Sequence, residues 1–260
     1  MIKNFLLTLF IIVFVSQVAA QSQKEIIKQN QFWISTNNVY RFSEKWGAIS
    51  DFHIRTTEFV NDPNFYFLRF GVRYWALPKM TLSSGYAHMW LAFPQEGAFG
   101  FLDENRIYQE LAFSNTIQSS NTLFRIRIEQ RWRETLDPVI LQPTGEFNFN
   151  YRFRVLFSAS IPFTKGEKPW NFMAADEVLF NYGDNIIYNT FDQNRLTLGV
   201  KKRINKNWSF DCGYMMVYQQ LPNGYTYTLN HTFRLFFYGI FDLRKDVDPD
   251  PKLMRYHAEE

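Results

Sequence analysis

The chain has 260 residues, 46% of them hydrophobic and 19% aromatic, with a net charge of +3 and a mean hydropathy of -0.28. That hydropathy argues against a helical membrane protein, which needs runs of about 20 apolar residues. The small charge, carried without a basic block, excludes a nucleic-acid partner, and a single cysteine, Cys212, excludes an internal disulfide. Cys212 lies between Phe210 and Tyr214 and reads as a small apolar side chain rather than a reactive thiol.

Taken in order, residues 1–20 read as a cleavable signal peptide. Lys3 is its charged start, Phe5 to Val15 its apolar core, and Val18, Ala19 and Ala20 its cleavage site before Gln21. The mature chain is therefore expected to be exported. Residues 21–31 form a polar lead-in or a weak first strand. From there to residue 241 come β-length segments in which apolar and polar residues alternate, each ended by turn residues. They are Phe32–Phe42, Trp46–Glu58, Phe65–Trp75, Leu82–Ala92, Asn105–Asn115, Leu123–Arg133, Phe147–Ile161, Trp170–Phe180, Phe191–Arg203, Trp208–Gln219 and Tyr225–Phe241. Residues 242–260, with Pro249 and Pro251, read as a polar tail.

The clearest segment is Leu123–Arg133. Successive strand side chains point to opposite faces, so Arg125, Arg127, Glu129, Arg131 and Arg133 share one face, while Phe124, Ile126, Ile128 and Trp132 share the other. A soluble sandwich would turn the apolar face to its core, whereas a membrane barrel would turn it to lipid and the charged face to a polar lumen. Two features favour the barrel. The fifteen-residue alternation of Phe147–Ile161 exceeds the usual strand of a small sandwich. Short connections at Ser43, Ala76 and Asn205 also alternate with longer ones at Phe93, Glu134 and Asn181, and short turns on one rim with long loops on the other are an outer-membrane pattern. Register is tightly specified, because one arginine moved to the lipid midplane costs about 2 to 4 kcal/mol. The expected fold is thus all-β, a membrane-spanning antiparallel up-and-down barrel in the outer membrane. Eleven segments are visible, and since single-chain bacterial barrels have even counts, the expectation is twelve strands, with ten as the alternative.

Trp33, the hairpin Ser43, Glu44, Lys45, Trp46, the run Glu104, Asn105, Arg106, the stretch Arg125 to Arg133, the sequence Asn150 to Arg154, and Phe191 to Leu196 with Gly213, Tyr214 and Met215 carry a resemblance. In order and spacing they resemble a bacterial family of outer-membrane barrels, domain of unknown function 2490. The resemblance implies a porin-like barrel with outer-membrane lipid and the barrel-insertion machinery as partners, and carries over no catalytic residues. The tail after Phe241 departs from the common barrel ending, in which the chain stops at an aromatic residue.

The chemistry that remains is in the lumen. His53, His88, His231 and His257 show no metal-ligand spacing, and there is no phosphate loop or nucleophile elbow, so neither metal nor cofactor is expected. The expected interior network is Arg69, Arg73, Arg106, Glu110, Arg125, Arg127, Glu129, Arg131, Arg133, Arg152, Arg154, Arg195, Lys201 and Asp211, joined by Arg55, Arg203, Arg234, Asp51 and either Asp176 or Glu177. Such a network is either a salt-bridged plug, as in a non-enzymatic scaffold, or the lining of a narrow pore or site that takes a small anionic solute. The alternative function is a lipid hydrolase with a rim site, using Ser84 with His88 or Asn230 with His231.

Overall fold

The computed structural model describes residues Lys24–Arg244. The expected signal peptide and the tail beyond Arg244 lie outside the described residues. The alternating segments form eleven strands: β1 (Glu25–Arg41), β2 (Trp46–Thr57), β3 (Asp62–Leu77), β4 (Met80–Gln95), β5 (Ala98–Ile117), β6 (Ser120–Leu136), β7 (Pro143–Pro162), β8 (Trp170–Tyr182), β9 (Phe191–Arg203), β10 (Trp208–Gln220) and β11 (Thr226–Asp242). Neighbours in sequence pair antiparallel, and β1 closes the barrel against β11.

The closing pair is parallel, from Glu25 beside Thr226 to Arg41 beside Asp242. This overturns the expected twelve strands, and the alternative of ten with them. Each hairpin reverses the chain, so an even count is required only when the first and last strands meet antiparallel. Parallel pairing is slightly weaker per residue, and here it runs the full 17 residues of both strands. The lead-in is no separate strand. Glu25 to Gln31 are the first half of β1, which continues without a break through Arg41.

The long loop expected from Phe93 to Asp103 is also absent. β4 and β5 pair from Phe93 and Gly100 up to Gln95 and Ala98 and turn through residues 96–97, where Gly97 has φ +69°. Glycine and proline masked the strand pattern. Pro94 is nevertheless accommodated opposite Phe99, and the Phe93 ring occupies the space a side chain on Gly100 would need. The β6–β7 loop likewise shrinks to residues 137–142. Both rims consequently carry one longer connection, 163–169 on one and 183–190 on the other, and loop length distinguishes them far less than the sequence suggests.

The two faces of the wall separate by chemistry. Outward side chains form an apolar belt that includes Phe70, Val72, Ile107, Phe157, Leu198 and Phe233, with Phe157 55% exposed. Cys212 faces outward too and is half-buried. Inside, the wall has two characters. β10, β11 and β1 contribute a packed cluster of Trp33, Met215, Val217, Phe236 and Tyr238, whereas β5 to β9 contribute chiefly charge. Glycines allow close crossing of the lumen: the Tyr108 hydroxyl of β5 reaches over to β3 and lies where a Cβ on Gly71 would be.

Candidate functional site in the barrel interior

Alternation along β5 to β9 puts every second side chain on the inner face, charged ones prominent among them, and barrel curvature then brings the long side chains together. Glu104 takes hydrogen bonds from Arg106 Nε at 2.6 Å and from Arg131 Nε at 2.8 Å. Arg106 also reaches Glu129 at 3.2 Å, and Glu129 accepts from Arg154 Nη1 at 2.7 Å. Arg154 continues to Glu177, which gathers Arg125 at 2.8 Å and Arg195 at 3.3 Å as well. A second branch centres on Glu110, which pairs with Arg127 and lies 3.6 Å from Arg73 and 3.8 Å from Arg125. Arg152 pairs with Asp192 at 2.9 Å.

On the opposite wall the charges form smaller groups. Asp51 holds Arg69, and Asp211 holds Arg234 at 2.9 Å while accepting a hydrogen bond from the Tyr238 hydroxyl. Lys201 sits 5.3 Å from the Tyr238 ring, a cation–π contact. Arg133 is half-exposed at one mouth, 4.0 Å from Glu104. All fourteen residues named from the sequence as the network face the inside of the barrel.

The choice between Asp176 and Glu177 goes to Glu177. Asp176 points outward and accepts a hydrogen bond from Asn194. Two inward acids are missing from the sequence-derived set. Glu104 shares a face with Arg106 two residues on, but it falls just before the segment Asn105–Asn115 that the sequence predicts, whereas β5 begins at Ala98. Asp192 turns inward because the β8–β9 register slips at Leu179/Phe180, so that Asp192 and Gln193 are both buried. No local signal in the sequence marks that bulge.

Two chambers stand out in the interior. The first, about 230 Å³, is lined by ten arginines but only two glutamates, Glu104 and Glu177. The second, about 400 Å³, opens among Lys168, Lys201, Arg203 and Glu167 near the other rim. They share no lining residue. Between them lies a septum of Tyr108, Glu110, Arg125, Arg73, Asp211 and Tyr238, all buried. Cationic side chains outnumber acids in the lining of both chambers, and ion pairs such as Glu110 with Arg73 join side chains between them.

The residues considered for hydrolysis do not converge. Ser84 donates to the Tyr108 carbonyl at 3.0 Å. His88 contacts Asn105 at 3.0 Å, Tyr86 at 3.3 Å and Asp103 at 3.3 Å, on the outer face. Asn230 points inward, while His231 points outward to the Tyr214 hydroxyl at 2.7 Å. Among the described residues no group of three or more His, Cys, Asp or Glu could hold a metal ion.

No curated protein matches the chain. The family described as protein of unknown function, DUF2490, matches residues 30–228, from the middle of β1 to the start of β11, which takes in the charged residues of β5 to β9 but not Arg234. This β-barrel with an arginine-rich interior therefore belongs to the DUF2490 family.

Proposed function

We propose that this chain is a non-enzymatic outer-membrane barrel, exported by a cleavable signal peptide, whose arginine-walled lumen admits small anions. One observation carries the reading: the wall is turned inside out relative to a soluble domain, with an apolar belt outside and guanidinium groups inside. Soluble monomers rarely expose contiguous apolar patches above a few hundred Å², whereas a lipid-facing band does so around the whole barrel. Lipid and the barrel-insertion machinery are the partners this implies.

Eleven strands lie between the eight whose interior side chains fill and the sixteen or more that leave an aqueous channel. Passage between the chambers then requires the septum around Glu110 and Arg125 to open, and excess arginine makes anions the favoured solutes. The test is conductance of the refolded protein in planar bilayers under a salt gradient. The expected result is small openings with anion selectivity that declines in Arg133→Gln and Lys201→Gln, which change the charge of a mouth and of a chamber wall. Cation selectivity, or variants indistinguishable from the parent, overturns the anion preference. Silence from a protein shown to be folded overturns conduction and leaves a plugged scaffold.

A further inference from the structure

Within the 230 Å³ chamber one cation stands apart. Arg55, on the inner face of β2, forms no ion pair among the described residues, and its Nε is buried with no hydrogen-bond partner. Its guanidinium instead lies 3.6 Å from the Trp33 ring centroid and 4.6 Å from that of Phe65. Aromatic rings over a guanidinium cover its faces and leave the N–H edge, the part that meets a planar carboxylate in two parallel hydrogen bonds.

The surroundings sharpen the preference. Arg195, itself paired with Glu177, lies 5.3 Å from the same Trp33 ring, so a second cation stands beside the indole. A guanidinium placed among other guanidiniums with no acid hydrogen-bonded to it is costly unless an anion joins it. Phe65 then continues the wall in apolar chemistry, packing with Phe67, Ala87, Met89 and Leu91. A bare inorganic anion would leave that wall uncovered. A second orphan donor, the fully buried Ser158 hydroxyl, lines the same chamber.

We propose that this chamber binds a small amphiphilic monoanion, a carboxylate carrying one ring or a short apolar chain, with the carboxylate on the Arg55 edge and the apolar body against Phe65, Phe67 and Met89. The inference rests on the reading that solutes enter the lumen. The volume agrees with the class. It exceeds the roughly 30 Å³ share of one water several-fold and falls short of the roughly 300 Å³ at which drug-sized sites begin.

The experiment uses the purified protein in detergent micelles, titrated with benzoate and with its neutral isostere benzamide, and followed by calorimetry and tryptophan fluorescence. Benzoate is expected to bind saturably and at least tenfold more tightly than benzamide. Arg55→Gln is expected to cost benzoate tenfold or more and leave benzamide unchanged. In Trp33→Phe the fluorescence response should disappear. Equal affinity for the two probes, an Arg55→Gln variant that binds as the parent does, or no saturable binding by folded protein overturns the proposal. Displacement of benzoate by inorganic phosphate at equal or lower concentration overturns the amphiphile and leaves a bare anion site. Anion-selective conductance without benzoate binding removes the site alone. Benzoate binding in a barrel that passes no current keeps the site and removes conduction.

Discussion

The inner wall built by β5 to β9 and the one built by β10, β11 and β1 fill the same lumen by different physics. The first is a continuous chain of shared carboxylates in which Glu104, Glu129, Glu177 and Glu110 each serve two or more arginines. The second holds the apolar cluster of Trp33, Met215, Val217, Phe236 and Tyr238, set among buried uncharged polar side chains such as Ser35, Asn37, Asn230 and Thr232 and the pair Asp211 and Arg234. Buried ion pairs are directional and leave an expensive orphan when one member goes, whereas apolar packing responds to volume. The two walls should therefore answer different substitutions.

The largest effect is expected at the hub of the charged wall. Glu177→Gln preserves shape but takes the charge from the acid shared by Arg125, Arg154 and Arg195. Loss of one member of such a buried set costs about 3 to 5 kcal/mol. Urea unfolding followed by tryptophan fluorescence measures it, and a loss below about 1 kcal/mol would mean that these charges are solvated rather than buried.

At the boundary between the walls, Gly71→Ala places a Cβ against the Tyr108 hydroxyl and the Ser84 backbone. Overpacking of this kind costs about 1 to 3 kcal/mol. Tyr108→Phe removes a hydroxyl without a hydrogen-bond partner and should recover part of that loss in the double variant. Additive behaviour of the two substitutions would place the strain in the backbone instead.

On the apolar wall Met215→Leu conserves volume and should cost less than about 1.5 kcal/mol. The contrast with Glu177→Gln, an equally conservative change in shape, is the direct measure of how the walls differ.

The smallest effect lies outside both. In the β6–β7 connection Asp137 accepts hydrogen bonds from the Val139 and Ile140 amides, which hold its carboxyl below the ordinary aspartate range. Its contribution is complete above the ordinary value near 3.9 and is lost as pH falls through the lower folded value. NMR titration should show that depressed midpoint, with the turn amides shifting and the barrel's melting unchanged in Asp137→Ala.

How much of this was legible beforehand depends on the range of the interaction. Arg125, Arg127, Glu129 and Arg131 could be assigned to one inner face because strand periodicity is a local property of the backbone. Glu104 is legible in principle, being two residues from Arg106, but Pro94, Gly97 and Gly100 mask the strand pattern of the residues that lead into it. Asp192 was not, because a register slip between β8 and β9 depends on two strands at once. Nor was Arg55 distinguishable from its neighbours. Its unpartnered Nε, and its place on Trp33, follow from how β1, β2 and β3 stack their inner faces.

By itself the chain determined an all-β wall, its two chemically opposite faces and the cationic character of one of them, since alternation, turn residues and charge are written residue by residue. The tertiary structure decided the eleven-strand count, the parallel closure of β1 on β11, which acids meet which arginines, and the septum that divides the lumen. Those depend on closure: only when the first strand meets the last do direction, register and curvature fix what each inward side chain touches.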